Sequence, residues 1–333
     1  MNKHGHTYAW ILGLLALAPG CKGCGWGTDK ASVPAAQPSA AQENVVQGRK
    51  GVMPTELMAD ATSPFNAGLF VDDQAIYLTT DKMAYRLVPG AKPQKIPVEN
   101  GGSAALTNTD IVYWGQGAFW KVPKLGGQAQ RLAEQKLQPA YLAASGDDVA
   151  WAVVPTTDKF EIQTFDGSKL RTLYFCPGKI VAFVVDAGRV YFVEKQGQDP
   201  WRIGSVSMRG GDLRFGPPKP GATPAKLMAA GEVFHYHLDS GEIRKISPDL
   251  TREEVISNKT ICSPLAVTDK VYCANMEGIW QLDRQPGAKA ESVFAEPRTI
   301  TNLVANSKFL TWLSDAGPDR LSLMLIPLPL PNN

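Results

Sequence analysis

His235 and His237 are the only histidines beyond residue 6, set two apart in Phe234-His235-Tyr236-His237. On an extended strand, alternation sends both imidazoles to one face and Tyr236 to the other. Two imidazoles at this spacing could begin a metal site, but a catalytic zinc generally takes a third protein ligand. Spacing points to no acidic partner, so an ordinary strand face is the preferred reading and metal binding its alternative. Cys262 and Cys273 are the other chemical pair, on neighbouring strands. If the turn between them covers 267–270, Cys273 faces Pro264 and Cys262 lies one diagonal away. Diagonal neighbours sit at ~7–8 Å, beyond comfortable disulfide reach unless Pro264 introduces a bulge. The bridge is a candidate, and nothing marks either sulfur as a nucleophile with a paired base.

Three polar residues, Asn66, Lys226 and Asn302, interrupt strands that are otherwise bland, such as Ala104-Ala105-Leu106, Val181-Ala182-Phe183 and Leu265-Ala266-Val267. These three are candidates for ligand binding at a central channel, but they form neither an acid/base pair nor a metal cage, so no catalytic residue and no cofactor is expected. Gln198-Asp199-Pro200-Trp201 looks like an insertion in a loop, which makes Asp199 and Trp201 contact candidates beside the simpler reading of loop packing. The Gly-Gly pairs at 101–102, 126–127 and 210–211 lack the strand-to-helix context of a phosphate loop and read as turns. Thirty-four basic against 32 acidic residues leave a net charge of +2. No Lys/Arg block stands out, so the electrostatic footprint of a nucleic-acid binder is missing.

These residues must be positioned by a repeat. A hydrophobic-aromatic pair recurs as Ile76-Tyr77, Val112-Tyr113, Ala150-Trp151, Val190-Tyr191, Val233-Phe234, Val271-Tyr272 and, less strictly, Phe309-Leu310. The period is roughly 39 residues, the length of a helical solenoid unit or a propeller blade. Strand signals decide between them. Each pair follows a turn cluster (Asp72-Asp73, Thr109-Asp110, Asp147-Asp148, Asp186-Ala187-Gly188, Ala230-Gly231, Thr268-Asp269, Asn306-Ser307), and the apolar runs are short and β-rich. Each unit resolves into four strands, a to d from the centre outward. In the third unit these are expected at 140–144, 149–154, 160–165 and 170–174, with Asp166-Gly167 as the last hairpin turn. Most tryptophans (Trp114, Trp120, Trp151, Trp280, Trp312) fall at equivalent strand positions and read as packing between units. Cys176 is expected to open strand a of the fourth unit as a buried free thiol, with a bond to Cys24 as the alternative.

The ends fit the same scheme. The seventh unit runs out in Pro327-Leu328-Pro329-Leu330-Pro331 before a fourth strand, while residues 51–58 are an unassigned strand upstream of the first unit. Docking that strand beside the seventh unit closes the ring and hides its edges. The expected fold is therefore all-β: a seven-bladed β-propeller of four-stranded antiparallel blades, its last blade completed by an N-terminal strand. The Asp-x-Val-Tyr-Trp … Trp-Lys-Val-Pro … Gly-Gly unit resembles the short-repeat propellers of bacterial envelope proteins, the NHL/YVTN-like and Tol-associated group. That resemblance covers about 51–326 and implies an envelope role without naming a ligand. Propeller lactonases and streptogramin lyases share the architecture, and a propeller hydrolase or lyase with a channel-mouth site is the alternative function.

Residues 1–20 read as a signal peptide, with Lys3 ahead of a short apolar run, 10–18, that is well under the ~20 residues needed to cross a bilayer. Ala18-Pro19-Gly20-Cys21 resembles the lipobox of bacterial lipoproteins, which implies lipidation at Cys21. The family prefers Leu at position 18 and Ser or Ala at 19, so plain secretion is the alternative. Lys22 after the cysteine leans towards the outer membrane. Setting Cys21 aside leaves Cys24, Cys176, Cys262 and Cys273, an even set in an oxidising compartment, with three ways to pair. Residues 21–50 are rich in Ala, Gln, Ser, Gly and Pro and read as a disordered tether. Some thirty residues of that kind give a reach of about 30 Å. The propeller domain is expected over 51–333. The function expected is non-catalytic: a monomeric, lipid-anchored envelope propeller that binds a protein, peptide or glycan, and no nucleic acid.

Overall fold

The computed structural model describes residues 54–330, apart from 63–67, 81, 99–102, 157–158, 168, 238–239, 259–262, 264, 297 and 318–319. Cys21, Cys24, Asn66 and Cys262 lie outside the described residues. The described chain is all-β, with seven antiparallel sheets of four strands, one for each repeat. The strands nearest the centre are Gly68–Val71, Ala104–Leu106, Tyr141–Ser145, Lys179–Asp186, Lys226–Ala229, Leu265–Val267 and Ile300–Ala305. Each lies against the inner strand of the blade on either side, and that of the seventh blade meets that of the first. The result is a ring.

Every hydrophobic-aromatic pair lies on strand b, and the reason is visible in the packing. A blade in the ring has neighbours on both faces, so its strand b is buried on both sides and alternation no longer separates inside from outside. Tyr77, Tyr113, Trp151, Tyr191, Phe234, Tyr272 and Leu310 are all buried. Seven apolar clusters fill the seven seams between blades. Phe119, Trp151 and Phe165 show how one seam is filled: Phe119 approaches Trp151 to 4.4 Å between ring centres, and Phe165 packs on both. The indole N–H of each repeat-position tryptophan has an acceptor. Trp114 donates to Gln135 O, Trp120 to Gly115 O, Trp151 to Gln163 Oε1, Trp280 to Asn275 Oδ1 and Trp312 to Glu296 Oε2.

The turn clusters between strands a and b do more than reverse the chain. Asn306 Nδ2 donates to Asp72 O at 2.6 Å and Lys308 Nζ to Asp73 O at 2.8 Å, joining the seventh blade to the first. Asn108 N donates to Gly146 O at 3.0 Å between the second and third blades, and Gly231 N to Asp186 Oδ2 at 3.0 Å between the fifth and fourth. Short Asp and Asn side chains suit this work because they accept from nearby backbone while leaving a group to reach the next turn.

In the seventh blade, Ile300–Ala305, Phe309–Gly317 and Arg320–Pro327 are followed outward by Thr55–Thr62. This strand pairs antiparallel with Arg320–Pro327, from Thr55 opposite Leu325 to Thr62 opposite Arg320. Its position is displaced from the 51–58 of the sequence reading. Leu57 and Met58 set the pairing by packing on the seam that holds Leu313, Leu321, Leu323 and Leu325.

Cys176 is not at the start of an inner strand. It ends the outermost strand of the third blade, Lys169–Cys176. That strand is longer than expected because a bulge opposite Ile162 and Gln163 takes up an extra residue. Pro177, which has no N–H for the ladder, stops it one residue later. The thiol is buried and free, its sulfur 3.3 Å from Gly178 O.

Candidate functional site: the channel and the seam between blades four and five

The seven inner strands surround a central cavity of about 510 Å³. Most of the residues that border it carry apolar side chains. Phe70, Leu142, Phe183, Met228 and Val304 line the space, with Lys226, Asn302, Asp186 and Ser145 as polar members. Lys226 is the first residue of its strand and is half-buried. Burial holds its amine down to about 8. Asn302 sits in the wall as the sequence reading expects, but its Oδ1 accepts from Leu303 N at 2.9 Å.

The two histidines lie elsewhere, on the seam between the fourth and fifth blades. His235 is on strand Val233–Tyr236 and is 0% exposed. Its Nδ1 is 3.0 Å from His237 Nε2 and its Nε2 is 3.0 Å from Glu253 Oε1. Glu253 opens strand Glu253–Ser257. It was invisible to spacing because it reaches His235 across a neighbouring strand, 18 residues along the chain. A carboxylate only accepts, so His235 Nε2 carries the proton, His235 Nδ1 accepts, and His237 Nε2 donates. The order is carboxylate, imidazole, imidazole.

Cations surround this chain. Glu253 forms ion pairs with Lys219 and, at 3.4 Å, with Arg244. Burial, then the charges of Lys219, His237 and Arg244, push the His235 imidazole well below its ordinary value, so it is neutral. Both its ring nitrogens are occupied, and ligating a metal would break one of those bonds. Among the described residues no group of three or more His, Cys, Asp or Glu side chains is arranged to hold a metal ion.

Trp201 follows the packing reading of its loop and not the contact reading. Its backbone bridges to Lys219 in both directions, Trp201 N to Lys219 O at 3.0 Å and Lys219 N to Trp201 O at 2.7 Å. That clamp turns the indole inward, where it is 2% exposed and packs on His237 at 5.4 Å and His235 at 6.1 Å between ring centres. A partner has no access to this ring. Its N–H has no acceptor among the described residues. The loop before it does reach solvent: Asp199 is exposed, and with Glu194, Gln196, Pro200, Arg202 and Pro218 it borders a cleft of about 200 Å³. The backbone N–H of Asp199 closes the turn onto Gln196 O at 2.8 Å.

Other buried acids are saturated. Glu194 accepts from Tyr174 Oη, Gln196 Nε2 and Arg202. Glu296 accepts from Arg298, Trp312 Nε1 and Ser314 Oγ. Cys273 is buried and disulfide-bonded. It stands opposite Leu265, not Pro264, because the turn takes Thr268, Asp269 and Lys270 between the paired Val267 and Val271. Its expected partner Cys262, like the expected channel residue Asn66 and the lipidation site Cys21, is outside the described residues.

No family model and no curated sequence matches the chain. Solved structures do resemble it. A streptogramin B lyase superposes with a TM-score of 0.60 at 14% identity, over 83% of this chain and 98% of that one. An oligogalacturonate lyase in complex with manganese gives 0.55 at 12%, over 84% and 96%. PorZ, a bacterial surface component of the type-IX secretion system of Porphyromonas gingivalis, gives 0.54 at 11%, over 84% of this chain and 40% of that one. At such identities the likeness is one of fold: this chain is a β-propeller, similar in architecture both to lyases and to a surface component.

Proposed function

We propose that the chain is a non-catalytic binding propeller of the bacterial cell envelope, exported, lipid-anchored at Cys21 and tethered by residues 22–50. It binds a protein, peptide or glycan partner over the channel mouth and the loop at 196–200. The observation behind this reading is that the buried acids and imidazole are consumed within the ring, while polar groups at the loop and the channel are left free. Glu194, Glu253, Glu296 and His235 are all consumed by bonds within and between blades. Asp199 and Lys226 have no such partner among the described residues, and they belong to the loop and the channel. Loops held on a rigid scaffold are the usual place for recognition.

A hydrolase or lyase reading draws on the carboxylate–imidazole–imidazole order, which resembles the orienting half of a catalytic triad. Its central imidazole is fully buried and both its nitrogens are bonded, so no substrate atom can approach it.

The test is comparative capture from envelope extract by the full mature chain. Wild type should retain a defined component, and Asp199→Arg should lower its retention by about tenfold, the effect of losing a central contact. Phe175→Ser on the outermost strand of the third blade, 68% exposed, is the control and should change nothing. Equal capture by all three proteins, or none by wild type, would contradict the reading. Mass spectrometry of the mature N-terminus tests the anchor separately, and an unmodified terminus or a cut away from Cys21 would refute it.

A further inference from the structure

Lys226 is a charge that the ring does not use. Its backbone pairs with Tyr236, and its side chain belongs to the wall of the central cavity. It makes no hydrogen bond or ion pair with any described residue, and burial alone accounts for its lowered pKa. Asp186 is the one carboxylate among the described lining residues; one of its oxygens accepts from Gly231 N at 3.0 Å, and no ion pair joins it to Lys226. Asn302 is turned to its own strand. Phe70, Leu142, Phe183 and Met228 border the same cavity. A half-buried ammonium with no ion-pair partner among the described residues gains from a ligand that supplies the missing charge.

We propose that the central channel binds a small monocarboxylate with an apolar body, its carboxylate paired with Lys226 and its hydrocarbon lying on the aromatic and aliphatic wall. The class follows from the lining. One amine compensates one negative charge, which favours a monoanion over a dianionic phosphate. A volume of about 510 Å³ is ample for such a molecule. This goes beyond the partner-binding reading, since the small ligand sits within the ring and the partner on its face.

The experiment is calorimetric titration of the full mature chain in nanodiscs, against empty nanodiscs, with hexanoate, hexan-1-ol and hexyl phosphate. Hexanoate should bind one to one and more tightly than either analogue. Lys226→Met should weaken hexanoate roughly 10- to 100-fold, as expected for loss of a charged hydrogen bond. It should leave hexanol unchanged, and Lys226→Arg should retain hexanoate binding. A readout on the unmutated chain guards against misfolding of the variants: after reductive ¹³C-methylation, the Lys226 resonance should titrate at higher pH with hexanoate present. No hexanoate binding, binding indifferent to Lys226→Met, tighter binding of hexyl phosphate, or an unmoved Lys226 resonance would each overturn the proposal. Asp199-dependent capture without hexanoate binding removes this inference alone. Hexanoate binding without capture removes only the partner reading.

Discussion

His235 makes the stability of the ring depend on pH in a way that can be worked out in advance. The imidazole is neutral in the fold, held there first by burial and then by Lys219, His237 and Arg244. Glu253 faces it as well and favours the charged form, but burial and the cations prevail. In the unfolded chain the same imidazole has its ordinary value of 6.5. Below that value the unfolded state takes up a proton that the folded state refuses, so stability rises with pH and is lost as pH falls below about 6.5. Each pH unit below that point costs about 1.4 kcal/mol, which gives about 2 kcal/mol between pH 7.5 and pH 5. Urea unfolding followed by tryptophan fluorescence at a series of pH values measures this directly. His235→Gln stays neutral throughout and can still donate to Glu253. Relative to wild type it should therefore gain about 2 kcal/mol over the same interval, with an unchanged urea slope. Parallel stability curves for the two proteins would refute the assignment of a neutral buried His235.

Three further outcomes follow from single contacts. Gly278→Ala should destabilise strongly, by more than the ~1 kcal/mol usual for glycine replacement, because φ is +143° and a methyl would land on Phe294 O. Gly117→Ala, at φ +73° in open space, is the mild comparison; equal unfolding midpoints would contradict the pairing of those strands. Glu296→Gln keeps the shape but leaves Arg298 and Trp312 with a weaker acceptor, and should cost about 1.5–3 kcal/mol in chemical unfolding. Burial pushes the Cys176 thiol up to about 12, so iodoacetamide at pH 8 should spare it until the ring unfolds; peptide mapping that finds it alkylated in the folded protein would argue against its burial.

The ring was legible because its cause is local and repeated. A blade buried on both faces needs a bulky residue at the same place in strand b each time, and Tyr77, Tyr113, Trp151 and their equivalents mark it. Turn residues were legible for their chain reversals, though their second use as ties between blades was not. Asn306 and Asp72 meet only because the ring closes, 234 residues apart. The site was less readable. Glu253 reaches His235 from another strand of the blade, and Lys219 and Trp201 come from the next blade, so no spacing in the sequence connects them. Sequence left Trp201 open between partner contact and loop packing because a loop of that length can bulge outward or be clamped back, and the bridge to Lys219 that decides it is a tertiary contact. Cys176 was misplaced by a single bulge, a feature that shifts register without leaving a mark in composition. Lys226 and Asn302 were visible as polar breaks in apolar strands, and the structure places both on the channel wall.

The claim that recognition takes place at the channel and the loop face is tested most directly by hydroxyl-radical footprinting of the mature chain, free and bound to its captured envelope component. Met228 and Phe183 in the channel and Pro200 on the loop should become protected, while Phe175 and Leu170 on the outermost strand of the third blade keep their reactivity. Protection confined to Phe175 and Leu170, with Met228, Phe183 and Pro200 unchanged, would contradict the account.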